Sequence, residues 1–137
     1  MPITQTMTTS FKVELPQAVH NLLTDSIKIA LYTSTATLNA ATTVYSSSSE
    51  AVAAGYTAGG IVLTGVTINS ANNIAYISFN NPSWAAALTA RGALIYNASK
   101  GNKSVAILDF GADKTSTTMF TVRVPANTDS SAVLRIA

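Results

Sequence analysis

Thr89-Ala90-Arg91-Gly92-Ala93-Leu94-Ile95-Tyr96-Asn97, the connector Ala98-Ser99-Lys100-Gly101-Asn102-Lys103, then Ser104-Val105-Ala106-Ile107-Leu108-Asp109-Phe110 make up the stretch that decides the fold. Two apolar runs rich in branched side chains flank a short polar segment, which is the pattern of a β-hairpin. Gly101 and Asn102 suit the positive φ that a tight reversal needs. On the N-terminal side, residues 61–68 and 74–79 repeat the pattern around Asn69-Ser70-Ala71-Asn72-Asn73, a run of turn formers. Ile27, Ile29 and Leu31 alternate with Lys28, Ala30 and Tyr32. Earlier still, Phe11, Val13 and Leu15 alternate with Lys12 and Glu14, which reads as a first strand ended by Pro16. Toward the C-terminus, Trp84 begins a segment that reaches Leu88, residues 118–124 form a strand closed by Pro125, and residues 133–136 form the last.

The count is about eight strands, with no convincing amphipathic helix. Strands at this spacing with turn residues between them predict an all-β fold, an antiparallel β-sandwich of jelly-roll-like form. Residues 11–137 form the single sandwich domain, and the polar, Thr-rich residues 1–10 are expected to be a flexible N-terminal arm. Residues 17–23 make one helical turn or a loop. The long polar stretch 33–60 is too long to be structureless in a compact domain. Within it, residues 42–45 read as a short edge strand, or residues 50–54 as a brief helix.

Charge is the unusual feature. Asp, Glu, Lys and Arg make up 10 % of the chain, against roughly 25 % in ordinary soluble domains. Hydroxyls, amides and methyl groups fill the space, and they cost far less than charges to desolvate against another protein. Such a surface is suited to being covered. The eight Lys and Arg form no run, so the footprint of direct nucleic-acid binding is missing. With no cysteine, disulfides and thiolate metal sites are ruled out. No run of apolar residues approaches the ~18 that span a bilayer, and the opening residues lack a signal-peptide pattern. No membrane association is expected.

Reactive residues are few. The one histidine, His20, would need a serine and an aspartate in contact to make a catalytic triad. A structural or solvated role is expected instead, and the chain reads as non-enzymatic, with no catalytic residue, cofactor or metal. Asp109-Phe110-Gly111 spells a kinase tripeptide without the lysine strand or catalytic loop. It is better explained by a strand ending at Phe110 with Gly111 turning the chain. Gly101-Asn102-Lys103-Ser104 lacks the upstream glycine and following helix of a phosphate loop. Asp109 and Asp113 supply too few oxygens for a firm calcium site. The residues selected for structural or interaction roles are Tyr56, Gly59, Gly60, Trp84, Arg91 and Asp109. The five tyrosines and Trp84 suit a contact face, although most of them are expected to be partly buried with the hydroxyl outside. Gly59 and Gly60 supply backbone freedom or close approach of a neighbouring chain. Arg91 lies in an otherwise uncharged strand, so it must reach solvent or pair, and Asp109 across the hairpin is the candidate partner.

One further set of strings bears on function. Phe11-Lys12-Val13-Glu14-Leu15, His20-Asn21 and Lys28-Ile29-Ala30-Leu31-Tyr32-Thr33 come first. They are followed in order by Gly55-Tyr56-Thr57-Ala58-Gly59-Gly60, Ala90-Arg91-Gly92-Ala93-Leu94-Ile95-Tyr96-Asn97 and Leu108-Asp109-Phe110-Gly111. Together the chain resembles a group of small tailed-bacteriophage virion structural proteins, from about residue 11 to the C-terminus. The resemblance implies a capsid cement or decoration protein at the outer capsid surface of the virion. Its partner would be the major capsid protein of the same phage, and it would itself be a homo-dimer or homo-trimer. A tail, neck or fibre-associated structural or adhesion module is the alternative. The arm and the 33–60 segment would then reach across a junction between shell subunits.

Overall fold

Side-chain alternation builds a central sheet that is buried on both faces. The structure is a computed structural model describing residues 3–125, 127–128 and 130–136. Ile27–Tyr32 (β2), Thr89–Asn97 (β7) and Lys103–Thr115 (β8) form the middle of a five-stranded sheet. Thr6–Met7 (β1) and Ile61–Val62 (β3) lie at its two edges, in the order β1-β8-β7-β2-β3. All its pairings are antiparallel. Cross-strand partners Ile29 and Ile95 point to one face, and their neighbours Ala30 and Leu94 to the other. A one-residue slip would therefore exchange two apolar sets, and both must be covered.

The first face carries the main core. Ile27, Ile29, Leu31, Ala93 and Ile95 meet a second layer. That layer contains Thr67–Ala71 (β4), Ile74–Ser78 (β5) and Leu134–Ile136 (β10) in a three-stranded sheet of order β10-β5-β4. It also contains the two-stranded pair of Ser83–Trp84 (β6) and Phe120–Thr121 (β9). Each fully buried Ile or Leu is worth about 1.5–3 kcal/mol relative to exposure. The all-β expectation holds and the layering is sandwich-like, with ten strands among the described residues, several of only two residues, in place of about eight.

Three expectations need correction. Residues 11–15 are not a strand: Thr9–Glu14 is a six-residue helix, α1. The Thr8 hydroxyl caps it by accepting from the Phe11 N–H at 3.4 Å. Phe11 is fully buried and Leu15 packs against the same core, while Val13 is 56 % exposed: residues four apart share a helix face and the one between them points away.

Residues 3–10 are no flexible arm. Ile3 is buried against Leu38, Thr6 and Met7 pair with Ile107 and Ala106, and Thr8 is fully buried. Met1 and Pro2 lie outside the described residues.

Residues 33–60 do not stand off the body. Their first part covers the second face of the central sheet, where Ala36 and Leu38 pack with Ile3, Ala30, Tyr32 and Leu94, while Ala51 and Tyr56 farther on join the main core. Bridges Val44–Lys103 and Tyr32–Glu50 hold them down. The 50–54 helix does not form. Val44 in the expected 42–45 edge strand makes only that one bridge.

Two runs read as single strands are divided. Gly65, at φ 65°, breaks residues 61–68 into β3 in one sheet and β4 in the other. Of residues 118–124 only β9 is paired. The hairpin is as expected, with Gly101 and Asn102 at φ 66° and 59°. Gly111 does not end its second strand. Between the Gly92–Asp109 and Ala90–Lys114 pairs, residues 110–113 bulge opposite Arg91, and β8 then resumes to Thr115.

Candidate functional site

Three polar clusters brace the fold. The largest is built around Glu50, which is 7 % exposed. Its Oε1 accepts from the Tyr45 hydroxyl at 2.6 Å, and its Oε2 accepts from the Tyr56 hydroxyl at 2.5 Å and the Gly59 N–H at 2.8 Å. Tyr56 oxygen accepts in turn from the Leu31 N–H at 2.9 Å. The Tyr96 hydroxyl donates to the Gly59 carbonyl at 2.6 Å, and that of Tyr32 to the Ser46 carbonyl at 2.5 Å. Tyr45 and Tyr96 stack with centroids 4.8 Å apart.

These bonds pin the 33–60 segment to β2 and β7. Burial pushes the phenols of Tyr32, Tyr45, Tyr56 and Tyr96 well above their ordinary value, and for Tyr45 and Tyr56 the hydrogen bond to Glu50 adds to it. Gly60, at φ 78°, passes so close to β2 that a Cβ there would overlap the Ile29 carbonyl. Close approach within the chain thus accounts for this glycine.

The second cluster holds His20, whose side chain is fully buried. Its Nε2 lies 2.8 Å from Glu14 Oε1 and its Nδ1 lies 3.0 Å from Asn97 Nδ2. A carboxylate can only accept, so Nε2 donates, and the Asn97 amide donates to the Nδ1 lone pair. The same amide donates to Asp25 Oδ2 at 2.8 Å. That bond first, then the Asn21 N–H, holds the Asp25 carboxyl below its ordinary value against the opposing effect of burial, with Lys100 at 3.4 Å adding to the lowering. Lys103 sits 3.8 Å from Glu14. Both ring nitrogens are taken, one by a carboxylate and one by an amide, and neither meets a hydroxyl. The arrangement ties α1 and residues 17–25 to the hairpin.

Arg91 and Asp109 form the third, with Arg91 Nε 3.1 Å from Asp109 Oδ1, as the hairpin register suggested. Asp109 Oδ1 also accepts from the Gly111 N–H at 2.9 Å. This bond first, then Arg91, lowers the Asp109 carboxyl from its usual value. The pair fastens the bulge at residues 110–113 to β7.

The tyrosines and Trp84 do not make a contact face. Tyr32, Tyr56, Tyr96 and Trp84 are between 1 and 8 % exposed, and the hydroxyls of all three tyrosines bond internally. Trp84 packs between Tyr56 and Phe120, and its Nε1–H has no partner among the described residues. Glu50 and Asn97 escaped the sequence reading, and Tyr45 and Tyr96 entered it only as members of the expected contact face. The available signal was Glu50 itself, the one charged residue between Thr33 and Gly60.

No protein-family model matches the chain, and no curated protein or solved structure matches it either. The phage resemblance therefore rests on the quoted strings.

Several large apolar side chains face outward. Val52 is 94 % exposed, Leu23 62 %, Met119 58 % and Val13 56 %. Ile68, also exposed, borders a shallow hollow of about 300 Å³ lined by Phe11, Leu15, Leu22, Ile77 and Ile136. Among the described residues no group of three or more His, Cys, Asp or Glu is placed to hold a metal ion, and no helix is long and apolar enough to cross a membrane.

Proposed function

We propose that the chain is a non-enzymatic structural module of a tailed-phage particle, a cement protein that binds the outer shell and bridges neighbouring subunits. The observation that carries this reading is the surface. Large apolar side chains stand in solvent on a chain with only eight cations and six anions, while the polar clusters above are spent on internal bracing. Singly exposed apolar residues are ordinary in monomers. Combined with so few charges, they give a surface that is cheap to desolvate against a neighbour.

Stiffness supports the same reading. Residues 3–10 and 33–60 are fastened down, so the module transmits load between subunits with little internal give. Modest contacts suffice, because two tethered contacts reinforce each other through effective concentration. The apolar hollow beside Ile68 is the proposed contact within a homo-dimer or homo-trimer. The order of the quoted strings along the chain supports the assignment to a tailed-phage virion.

Heat tests the reading. Particles assembled without the chain are expected to release their DNA at a lower temperature than complete ones, and purified protein added back should restore the difference. Equal heat resistance with and without the chain would contradict a cementing role.

A further inference from the structure

We infer that the trough beside the outer edge of β8 is a docking site for an extended acidic segment of a partner protein. β1 pairs with β8 only at Ile107 and Ala106. At Gln5 the chain turns away, so that Thr4 donates to the Leu38 carbonyl and Ile3 bridges Leu38. From Asp109 onward β8 has no strand on that side among the described residues. The Gln5 side-chain oxygen takes the Asp109 N–H at 3.0 Å, where the next strand residue would have been. The Gly111 N–H is likewise taken, by Asp109 Oδ1 at 2.9 Å, and residues 110–113 bulge, so a second extended chain would lie along this edge chiefly by side-chain contact and not by a continuous backbone ladder.

The open edge faces two adjoining hollows of about 480 and 510 Å³. They share Gln5, Leu108, Val122, Arg123 and Pro125, and so form one trough along the edge. Its walls are apolar: Leu108, Phe110, Met119, Phe120 and Val122 line one half. Its charges are cationic. Lys114, Arg123 and Arg135 line the trough, all exposed, and none makes an ion pair among the described residues. The one acid in the lining, Asp109, is already neutralised by Arg91.

Apolar walls beneath three unpaired cations fit an extended segment that alternates apolar side chains with carboxylates. A second copy docking by the same surface would set three cations against three. A nucleic-acid strand would satisfy the cations and leave the apolar walls unmatched. This inference stands apart from the phage reading, because it concerns the purified chain alone.

The test is an NMR titration of the ¹⁵N-labelled protein with a capped peptide of alternating valine and glutamate. Amides of residues 108–115 and 120–124 are expected to shift in a saturable way. The double charge reversal K114E/R123E, at two exposed positions that leave the core untouched, should weaken binding about tenfold or more. The same peptide with lysine for glutamate should leave these amides in place. No shift at these amides, equal binding of the lysine peptide, or undiminished binding by the double variant would overturn the assignment. So would equal displacement of the same amides by a single-stranded DNA oligonucleotide, or their movement with protein concentration alone, which would give the trough to a second copy.

Discussion

Glu50→Ala should lower the stability of the isolated protein by about 3–5 kcal/mol, which for a chain of this size is a fall in Tm of about 10–20 °C. Glu50 is the only acceptor on which the Tyr45 hydroxyl, the Tyr56 hydroxyl and the Gly59 N–H converge. Tyr45 is only half-buried and can turn to water, but Tyr56 and the Gly59 amide are enclosed. Removing the carboxylate leaves these two buried donors without a partner and opens a void beside them. Glu50→Gln retains one acceptor oxygen but turns an amide N–H₂ toward a donor, and should cost about 2 kcal/mol. Thermal unfolding followed by circular dichroism reads both. If Glu50→Ala melted within about 3 °C of the parent, the carboxylate would not be the post that holds the 33–60 segment.

Alkali should unfold the protein cooperatively, and phenolate absorbance should appear together with the loss of structure. The phenols of Tyr32, Tyr45, Tyr56 and Tyr96 are raised above 10.0 in the folded state, burial being the leading cause. Above pH 10 the unfolded chain gives up phenolic protons that the folded chain keeps. The folded state then binds more protons, so stability is intact below pH 10 and falls as the pH rises. Each buried phenol adds to this fall over the interval in which the unfolded chain is ionised and the folded chain is not, so the unfolding midpoint is expected above pH 10. Reversible ionisation of all five tyrosines near pH 10, with circular dichroism unchanged, would show that the rings are not sealed in.

The strands that carry the core were legible because each has an apolar set on at least one face. In β2 and β7 the alternation is between two apolar sets, and the hairpin between β7 and β8 announces itself through Gly101 and Asn102. The Arg91–Asp109 pair followed from that hairpin, since a lone cation on an uncharged strand has few places to go. Short elements were not legible. Phe11 and Leu15 share a face in a strand and in a helical turn alike, only Val13 distinguishes the two, and the deciding bond, from the Phe11 N–H to the Thr8 hydroxyl, depends on where the chain enters. The break at Gly65 was hidden for the same reason, because a run of branched residues does not say which of two sheets its second half will join.

The tyrosine brace was the largest omission. Its members lie far apart, at residues 32, 45, 50, 56, 59 and 96, and nothing local couples them. Only the fold of the 33–60 segment against the central sheet brings them together. That also reverses its expected role: a polar stretch that looked free to reach a neighbour is a lid on the protein's own core. In the proposed role, contact with neighbours falls instead to the exposed apolar positions and the trough beside β8.

Counting molecules addresses the proposed place in a phage shell most directly. Quantitative mass spectrometry of purified particles should find this chain in fixed proportion to the major shell protein, on heads freed of tails as well as on whole particles. A handful of copies per particle, leaving with the tails when heads and tails are separated, would contradict the cement reading.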